Sequence, residues 1–307
     1  MPTKKIQRIK TISEYHKFRD LPKPLHPLIS LVDYSLIKHA QDANQMNWIQ
    51  DFYTIGLKRN VLGKFRYGQQ VYDFDEGLMS FIAPNQVFGV EVFDCQDAPP
   101  PSGWLLFIHP DFLWNTPLAK SIKSFEFFGY QVNESLFLSE KEEKIIIDIL
   151  KNIEQEYHEN IDAFSQRIIV SHLETLLTYA ERFYQRQFIT RKINNHQILA
   201  NLEKLLTDFF NNEELMSEGL PSVVYVSEKL NVSPNYLSHL LKTHTGNSTQ
   251  WYIQDKIVEK AKERLTTTAL SVSEIAYGLG FKYPQSFTKL FKQKTNQTPV
   301  EFRQSFN

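Results

Sequence analysis

Two segments near the C-terminal end of the chain repeat one pattern of residues, and this repeat constrains the fold more than any other feature. The first segment runs from Val226 to Lys242 and the second from Val272 to Lys292. Each starts with a short helical stretch with apolar residues about four apart, passes through a tight turn, and ends in a longer helical stretch of mixed apolar, polar and basic residues. The pattern predicts two helix-turn-helix units, whose second helices have the size and chemistry to enter a DNA major groove.

Charge is distributed unevenly along the chain. Residues 221–307 contain eleven Lys and Arg residues and six Asp and Glu residues, a net charge of +5, whereas the other residues together carry −6. A basic module joined to an acidic body is typical of a protein in which one domain meets phosphates and the other avoids them. The length of 307 residues suits two domains, which we place at 1–189 and 190–307.

The first unit has a clear helix start. Ser233 suits the N-cap, and Pro234 suits the first helical position. Leu237, Leu240 and Leu241 would form the buried stripe, so the other side chains near the helix start can reach base edges. For this unit we predict base contacts by Asn235, Ser238 and His239, and phosphate contacts by Ser233 and Lys242.

The second unit turns at two glycines. Gly278 and Gly280 allow a sharp turn, and we expect a positive φ at Gly280. Phe287, Leu290 and Phe291 would be buried, while Gln, which favours adenine, and Lys, which favours guanine, face outward. For this unit we predict base contacts by Pro284, Gln285, Thr288 and Lys289, and phosphate contacts by Ser273, Lys292 and Lys294.

A helix from about Ser248 to Thr266 is predicted between the two units. At 1.5 Å per residue it would be roughly 27 Å long. That length can hold two reading helices about one turn of DNA apart, near 34 Å. The alternative for this module is an all-helical interaction domain with ordinary solvated lysines.

The N-terminal half has β texture. Short aromatic and branched runs separated by turn residues predict a β region at about 48–110. The runs that we interpret as strands are 52–55, 70–74, 78–82, 87–93 and 104–108. Strands this close together predict a small barrel or a double-sheet sandwich. Three prolines, Pro22, Pro24 and Pro27, predict an extended, irregular lead-in before residue 45.

Apolar spacing becomes helical after the β region. Ser139 and Glu142 have the spacing of a capping box, and two helices follow within 140–188. Their apolar stripe is wide, so one face would cover the β region and another would meet a second copy of the chain; the alternative is that both faces are used within one monomer. The polar segment Thr190–Asn195 predicts a linker, followed by a helix from about His196 to Phe210.

The residues of metal and catalytic sites are not grouped in this sequence. No His-x-His pair occurs, and His109 alone falls in the β region, so we expect no metal, no cofactor and no catalytic site. The single Cys95 suits a reducing cytoplasm, and no long apolar run predicts a membrane span. An aromatic effector pocket is one interpretation of five β-region residues, which could equally be core: Trp48, Phe52, Phe65, Tyr67 and Trp104.

Several groups of residues in the C-terminal module occur together in a known order. They are Asn235–Leu237, Lys242–Gly246, Ala261-Lys262, Ser273–Ala276, Gly280-Phe281, Ser286-Phe287, Leu290–Lys292 and Thr298–Arg303. They resemble the DNA-binding region of the AraC/XylS family of bacterial transcription regulators, and the segment ending in Gly103–Phe107 is similar to that family's cupin-type arm and barrel. The resemblance implies promoter binding, usually activation with RNA polymerase as partner, and an effector or partner that acts on the N-terminal domain.

Three residues depart from the family pattern. Asn296 stands where glycine is common, Lys256 where arginine is common, and Arg264 where an apolar residue is common. Asparagine tolerates the left-handed conformation, so the turn at Asn296 is expected to persist. With lysine at position 256, the chain lacks the bidentate hydrogen bonding that an arginine guanidinium would give there. A charged Arg264 at an ordinarily apolar position leaves the local packing an open question.

We therefore expect an α+β chain with an N-terminal cupin-like small β-barrel and helical hairpin, followed by an all-α double helix-turn-helix module. The expected function is a cytoplasmic transcriptional regulator, an activator and not an enzyme, that binds double-stranded DNA as a homodimer. Its N-terminal domain is expected to bind a small effector or a regulatory partner. The rival hypothesis is a small-molecule-binding or enzymatic barrel whose helical tail mediates protein assembly. DNA retention that depends steeply on salt would distinguish the two.

Overall fold

The structure is a computed structural model that divides into two compact units, Met1–Gln187 and Phe188–Asn307. The residues that it describes are 5–37, 46–59, 66–67, 70–71, 77–89, 102–130, 134–159, 164–190, 192–212 and 219–305. None of the helices within these ranges is long and apolar enough to cross a membrane.

In the described part of the first unit, ten strands form three sheets. The strands are β1 Lys5–Ile9, β2 Ile29–Asp33, β3 Met46–Gln50, β4 Tyr53–Arg59, β5 Arg66–Tyr67, β6 Gln70–Val71, β7 Leu78–Ile82, β8 Val87–Gly89, β9 Ser102–Ile108 and β10 Leu136–Phe137. The largest sheet has the order β10-β7-β4-β9-β2 and is antiparallel. A second sheet has the order β1-β3-β8, and β5 pairs with β6. The α+β class is confirmed, and closure of these sheets into a cupin-like barrel stays a prediction.

The prediction of an irregular lead-in before residue 45 was wrong. This segment supplies β1, helix α1 (Ile12–Phe18) and β2, and β2 pairs with β9 over its whole length. The three prolines lie between α1 and β2, where no strand needs their missing N–H groups. The strands themselves are five residues long and gain their stability from partners distant in sequence, so the local pattern is weak.

One part of the core of the first unit brings together residues of both larger sheets. It is a cluster of buried residues that includes Ile9, Ile12, Tyr15, Val32, Tyr34, Trp48, Phe52, Leu105 and Phe107. Leu105 and Phe107 face it because successive side chains of a strand point to opposite sides. Several polar side chains are buried near this core, among them Gln50, whose amide donates to the Thr54 hydroxyl at 2.5 Å.

Among the described residues, three further α-helices belong wholly or mainly to the first unit: α2 Leu118–Ser121, α3 Glu140–His158 and α4 Ser165–Thr190. The capping box at Ser139 and Glu142 is present, as predicted. On α4, Leu173, Leu176 and Leu177 are fully buried, and the Tyr184 ring stacks on Phe127 with centroids 5.4 Å apart. Most of the apolar stripe is therefore buried within the unit.

The second unit contains seven helices within its described residues. They are α5 Lys192–Asn211, α6 Val223–Lys229, α7 Pro234–Thr245, α8 Thr249–Thr267, α9 Val272–Gly278, α10 Pro284–Thr295 and α11 Pro299–Gln304. The predicted linker Thr190–Asn195 was wrong, because α4 continues to Thr190 and α5 already begins at Lys192. The polar residues are compatible with helix since Asn195 is buried and its amide donates to the Phe188 carbonyl.

Candidate nucleic-acid interface

The first helix-turn-helix unit consists of α6 and α7. The turn lies at Asn231, and this residue adopts a left-handed conformation with φ of 55°. Ser233 then caps α7, because its hydroxyl accepts a hydrogen bond from the Tyr236 N–H at 3.1 Å. Leu237, Leu240 and Leu241 are fully buried, so the prediction of the apolar stripe is confirmed.

The second helix-turn-helix unit consists of α9 and α10. Ser271 and Glu274 form a capping box at the start of α9, with hydrogen bonds of 3.2 and 2.7 Å. Gly280 makes the turn with φ of 88°, which confirms the expectation of a positive φ there. Phe287 and Phe291 are fully buried and anchor α10 to the rest of the domain.

The two second helices, α7 and α10, match position by position. Each has 12 residues, begins with proline and ends next to a residue in the left-handed conformation. Equivalent positions carry an amide (Asn235 and Gln285), a hydroxyl (Ser238 and Thr288), and a lysine further along the helix (Lys242 and Lys292). The repeat seen in sequence is therefore a repeat of side-chain chemistry on two equivalent helices.

The predicted base-contacting residues differ in how open they are. Asn235, Gln285 and Lys289 are exposed, whereas Ser238, His239, Pro284 and Thr288 are half-buried. The Ser238 hydroxyl is 3.0 Å from the Thr249 hydroxyl, and the Thr288 hydroxyl donates to the Pro284 carbonyl at 3.1 Å. These internal hydrogen bonds occupy part of the capacity that the hydroxyls would offer to a base.

The His239 ring lies against an aromatic side chain. Its centroid is 4.6 Å from that of Phe188, which also contacts the Tyr236 ring. His239 is thus in contact with the segment that enters the second unit, and only part of its ring faces solvent. On the same helix, Asn235 is exposed, so its side-chain amide is more open to a base than the His239 ring is.

The predicted phosphate-contacting residues fall into three environments. Lys242, Ser273 and Lys292 are exposed. Ser233 is buried as the cap of α7, so its hydroxyl serves the helix. Lys294 is half-buried, and its Nζ atom lies 3.7 Å from the centroid of the Trp251 ring. Burial lowers the pKa of Lys294, an effect that the nearby Asp255 carboxylate partly offsets.

An exposed tyrosine beside α10 was missed by the sequence reasoning. Tyr283 is the residue before Pro284, and 67% of its surface is exposed. Its neighbour Lys282 is also exposed. A single tyrosine between a turn and a proline gives no pattern, and only the structure shows that Tyr283 is exposed at the start of α10, two residues before Gln285.

Helix α8 joins the two helix-turn-helix units, and its C-terminal end is anchored by hydrogen bonds. Its 19 residues correspond to about 28 Å, close to the predicted length. The Arg264 guanidinium donates to the Gly278 carbonyl at 3.0 Å, and Arg303 donates to the Leu265 and Leu270 carbonyls. Arg264, whose effect on packing was in question, therefore binds the end of α9 to α8.

The other two departures from the family pattern are also accommodated. Asn296 has φ of 60°, and its N–H donates to the Lys292 carbonyl at 2.8 Å, so the left-handed turn persists. Lys256 forms ion pairs with Glu259 at 2.9 Å and Glu203 at 3.3 Å. The hydrogen bond to Glu259 is the main reason that its pKa is raised.

The predicted effector-pocket residues do not all share one face. Trp48 and Phe52 are in the buried core of the first unit. Trp104 pairs with Asp33 and Leu57, and lies on the opposite face of β9 from the core-facing Leu105. Phe65 lies outside the described residues, as does the side chain of Tyr67. The pocket as predicted is thus wrong for Trp104, because strand alternation directs it away from Trp48.

The histidine of the β region has a local structural role. The Asp111 N–H donates to His109 Nδ1 at 3.3 Å, which caps the short 3-10 helix at Pro110–Leu113. Within the described residues, no group of three or more His, Cys, Asp or Glu side chains could hold one metal ion.

Comparisons with known proteins concern the C-terminal module. A family model described as a helix-turn-helix domain matches residues 226–305. The uncharacterized HTH-type transcriptional regulator YfiF of Bacillus subtilis is 31% identical over 145 residues, which cover 47% of this chain and 43% of YfiF. The HTH-type transcriptional activator RhaS of Salmonella paratyphi B is 35% identical over 111 residues, which cover 36% of this chain and 37% of RhaS. The chain thus spans less than half the length of these two curated relatives.

A solved structure is similar over the same region. The C-terminal domain of AraT, a response regulator from Geobacillus stearothermophilus, is 30% identical to this chain. The match covers 35% of this chain and 84% of the AraT domain, with a TM-score of 0.31. The family-model match runs from α6 to α11 and so includes residues of both helix-turn-helix units. The C-terminal module of this chain thus contains a helix-turn-helix domain of AraC type, and the relatives that match it are named HTH-type transcriptional regulators.

Proposed function

We propose that the chain is a sequence-specific transcriptional regulator that binds two successive segments of a DNA major groove through α7 and α10. The observation that carries this proposal is the matched chemistry of the two helices, with an exposed amide near the start of each, at Asn235 and Gln285. Amide side chains pair bidentately with adenine. The rest of the predicted set, Ser238, His239, Pro284, Thr288 and Lys289, completes the proposed base-contacting surface, to which we add Tyr283.

Phosphate contacts fix the register and orientation of a protein on the DNA duplex. We propose Lys242, Lys292 and Ser273 for these contacts, because all three are exposed. Ser233 and Lys294 belong to the same proposed set of phosphate contacts. The Ser233 hydroxyl is held at the start of α7 by the Tyr236 N–H, and the Lys294 Nζ atom is held near the end of α10 against the Trp251 ring. The net positive charge of this module supports binding that weakens as salt rises.

Activation is the proposed direction of regulation, with RNA polymerase as the partner. RhaS, which is 35% identical over its matched region, is named a transcriptional activator. The first unit is proposed to bind a small effector between its two larger sheets, where Trp48 and Phe52 are buried. In this proposal the protein works in the cytoplasm and is not an enzyme.

Self-association through α4 is also proposed. Phe164 and Ile168 are 60% and 40% exposed and lie one helical turn apart. Gln166 donates to the Phe112 carbonyl at 2.6 Å, which brings the 68% exposed Trp114 to the same side. Exposed aromatic residues of this kind are enriched in interfaces. Light scattering should give twice the chain mass of 36.0 kDa, and Ile168→Asp should give the monomer; a monomeric parent chain contradicts the proposal.

A mobility-shift titration tests the DNA-binding proposal. The whole chain is first used to select binding sequences from a random duplex pool, and retention of the selected duplex is then measured as salt increases from about 50 mM. We expect retention that falls steeply with salt and that excess selected duplex, but not a shuffled duplex, competes away. An equal effect of both competitors, or no retention at the lowest salt, contradicts the proposal.

Lys289→Ala is the sharpest single test of the base contacts. Lys289 is exposed on α10, so its removal should leave stability unchanged and weaken binding by about 1–3 kcal/mol while relaxing preference at one base pair. The matched control is Lys260→Ala, which removes the same charge from α8, where Lys260 pairs with Glu263 at 2.8 Å. Equal affinity and equal base preference in the parent and the Lys289 variant would rule out this contact.

A further inference from the structure

A cavity of about 180 Å³ lies in the first unit, where the start of β2, the end of α3 and the start of α4 meet the 3-10 helix at Pro110–Leu113. An engineered cavity of roughly 150 Å³ is large enough to bind benzene, whereas drug-sized ligands occupy pockets of roughly 300–1,000 Å³. The volume therefore suits a molecule of one ring or one short chain. None of the residues that line it belongs to the buried cluster around Trp48.

The inner wall of this cavity is apolar and partly aromatic. Ile29 of β2, Phe112 of the 3-10 helix and Ile169 of α4 line it and are buried. The buried Tyr157 ring of α3 adds a second aromatic side chain. A wall of this kind takes the apolar body of a ligand, and aromatic rings also attract a cation.

The outer wall carries polar groups that are held in place. The Gln166 side-chain N–H donates to the Phe112 carbonyl at 2.6 Å, which leaves the side-chain oxygen of Gln166 as an acceptor. The Tyr157 hydroxyl accepts from the Leu25 N–H at 2.8 Å, which leaves its own hydrogen to donate. A few fixed polar groups beside an apolar wall are what orients a small ligand.

The charge along this wall is negative. Glu156 and Asp111 both line the cavity, and no Lys or Arg is among the described residues that do. Glu156 is half-buried, and its carboxylate has no ion pair or hydrogen bond within the part of the chain that the structure describes. The Asp111 carboxylate is exposed and lies 3.4 Å from His109 Nδ1, so Glu156 is the carboxylate more open to a ligand.

The histidine in the lining does not cancel this charge. Burial lowers the pKa of His26, and its Nδ1 atom accepts a hydrogen bond from the Leu28 N–H at 3.1 Å. A ring nitrogen that accepts carries no proton, so His26 is neutral near neutral pH. The cavity therefore favours a positive group over a negative one.

We infer that this cavity is a binding site for a small organic amine in its protonated form. The ammonium group binds the Glu156 carboxylate and the side-chain oxygen of Gln166, and the apolar body lies against Phe112 and Ile169. A neutral molecule would lack the charge-assisted hydrogen bond, and an anion would meet two carboxylates. This site goes beyond the proposed function, because it shares no residue with the core around Trp48.

The test compares molecules of one shape and different charge. The whole chain is titrated near neutral pH with benzylamine, benzyl alcohol and benzoate at equal ionic strength, and with 1-naphthylmethylamine as an amine too large for the cavity. The readouts are the melting temperature and the heat of binding. We expect benzylamine to raise the melting temperature by several degrees at saturation, benzyl alcohol to raise it less, and the other two to leave it unchanged.

Variants decide whether the response comes from the cavity. Glu156→Gln should weaken benzylamine binding about tenfold and bring it close to that of benzyl alcohol, because a charge-assisted hydrogen bond is lost. Ile169→Phe should fill the cavity and weaken binding of both molecules, once circular dichroism shows that the variant is folded. The matched control is Asp148→Asn, which removes an exposed carboxylate from the same helix and should bind benzylamine as the parent does.

Three results would overturn the inference. They are the absence of a benzylamine response, equal responses to benzylamine and benzyl alcohol in the parent chain, and a benzylamine response that is unchanged in Glu156→Gln. A selective response that is lost in Glu156→Gln and kept in Asp148→Asn supports it. Because the titration contains no DNA, its failure would leave the DNA-binding proposal intact, and loss of DNA binding in the salt titration would leave the amine result intact.

Discussion

Replacing Phe287 with alanine should lower the free energy of unfolding of the second unit by about 3–5 kcal/mol. Phe287 is fully buried at the start of α10, with its ring centroid 5.4 Å from that of Phe281 and 5.8 Å from that of Phe291. Its removal takes away apolar contact on both sides and leaves a cavity between α9 and α10. Because small domains are stable by only about 5–15 kcal/mol, such a loss would remove a large part of the stability of this unit.

Urea unfolding followed by circular dichroism measures this effect. Phe287→Leu is the matched control, since it keeps most of the volume and should cost less than about 1.5 kcal/mol. Gln285→Ala lies two residues earlier on the exposed side and should unfold as the parent does while binding DNA less tightly. A Phe287→Ala protein with the parent's urea midpoint would mean that α10 does not depend on this ring for its position.

Replacing Gly103 with alanine should destabilise the first unit by more than about 4 kcal/mol, a loss that single substitutions seldom cause. Gly103 has φ of 125°, a conformation that residues with a side chain rarely adopt. A Cβ atom there would overlap the Leu57 carbonyl oxygen and lie 2.9 Å from the Leu57 carbonyl carbon. The clash is with the backbone of β4, the central strand of the largest sheet, so no side chain can move to relieve it.

The control for Gly103 separates backbone strain from steric overlap. Gly219 has a similar φ of 113°, but a Cβ atom there would meet no atom of the described residues within 4 Å. Gly219→Ala should therefore cost only about 1–2 kcal/mol, the penalty of the left-handed conformation. Thermal unfolding of both variants measures the difference, and equal losses would show that overlap with Leu57 contributes nothing.

Local sequence signals were sufficient where a residue interacts with its near neighbours. The cap at Ser233, the turn at Gly280 and the left-handed Asn296 depend on hydrogen bonds and φ angles within a few residues. The same holds for the capping box at Ser139. These signals have physical causes that act at short range, and they placed the start of α7 and both ends of α8 within about one residue.

Local signals were insufficient where distant segments meet. No pattern within residues 5–9 or 29–33 distinguishes them from irregular chain, and each becomes a strand by pairing with β3 or β9. Asn195 is accepted in a helix because the Phe188 carbonyl receives its amide. The sequence also could not show that Arg19 lies over the Trp48 ring and Lys58 over the Tyr34 ring, two residues of one buried cluster.

By itself, the sequence determined that the C-terminal module has two helix-turn-helix units with polar and basic second helices, because caps, turns and helical periodicity are properties of neighbouring residues. Tertiary structure alone decided which of those side chains stay open. It exposes Asn235, Gln285 and Lys289, engages Ser238 with Thr249, and sets His239 against Phe188. It also turns Trp104 away from Trp48, since the face of a side chain follows from strand pairing and register, which join residues far apart in the chain.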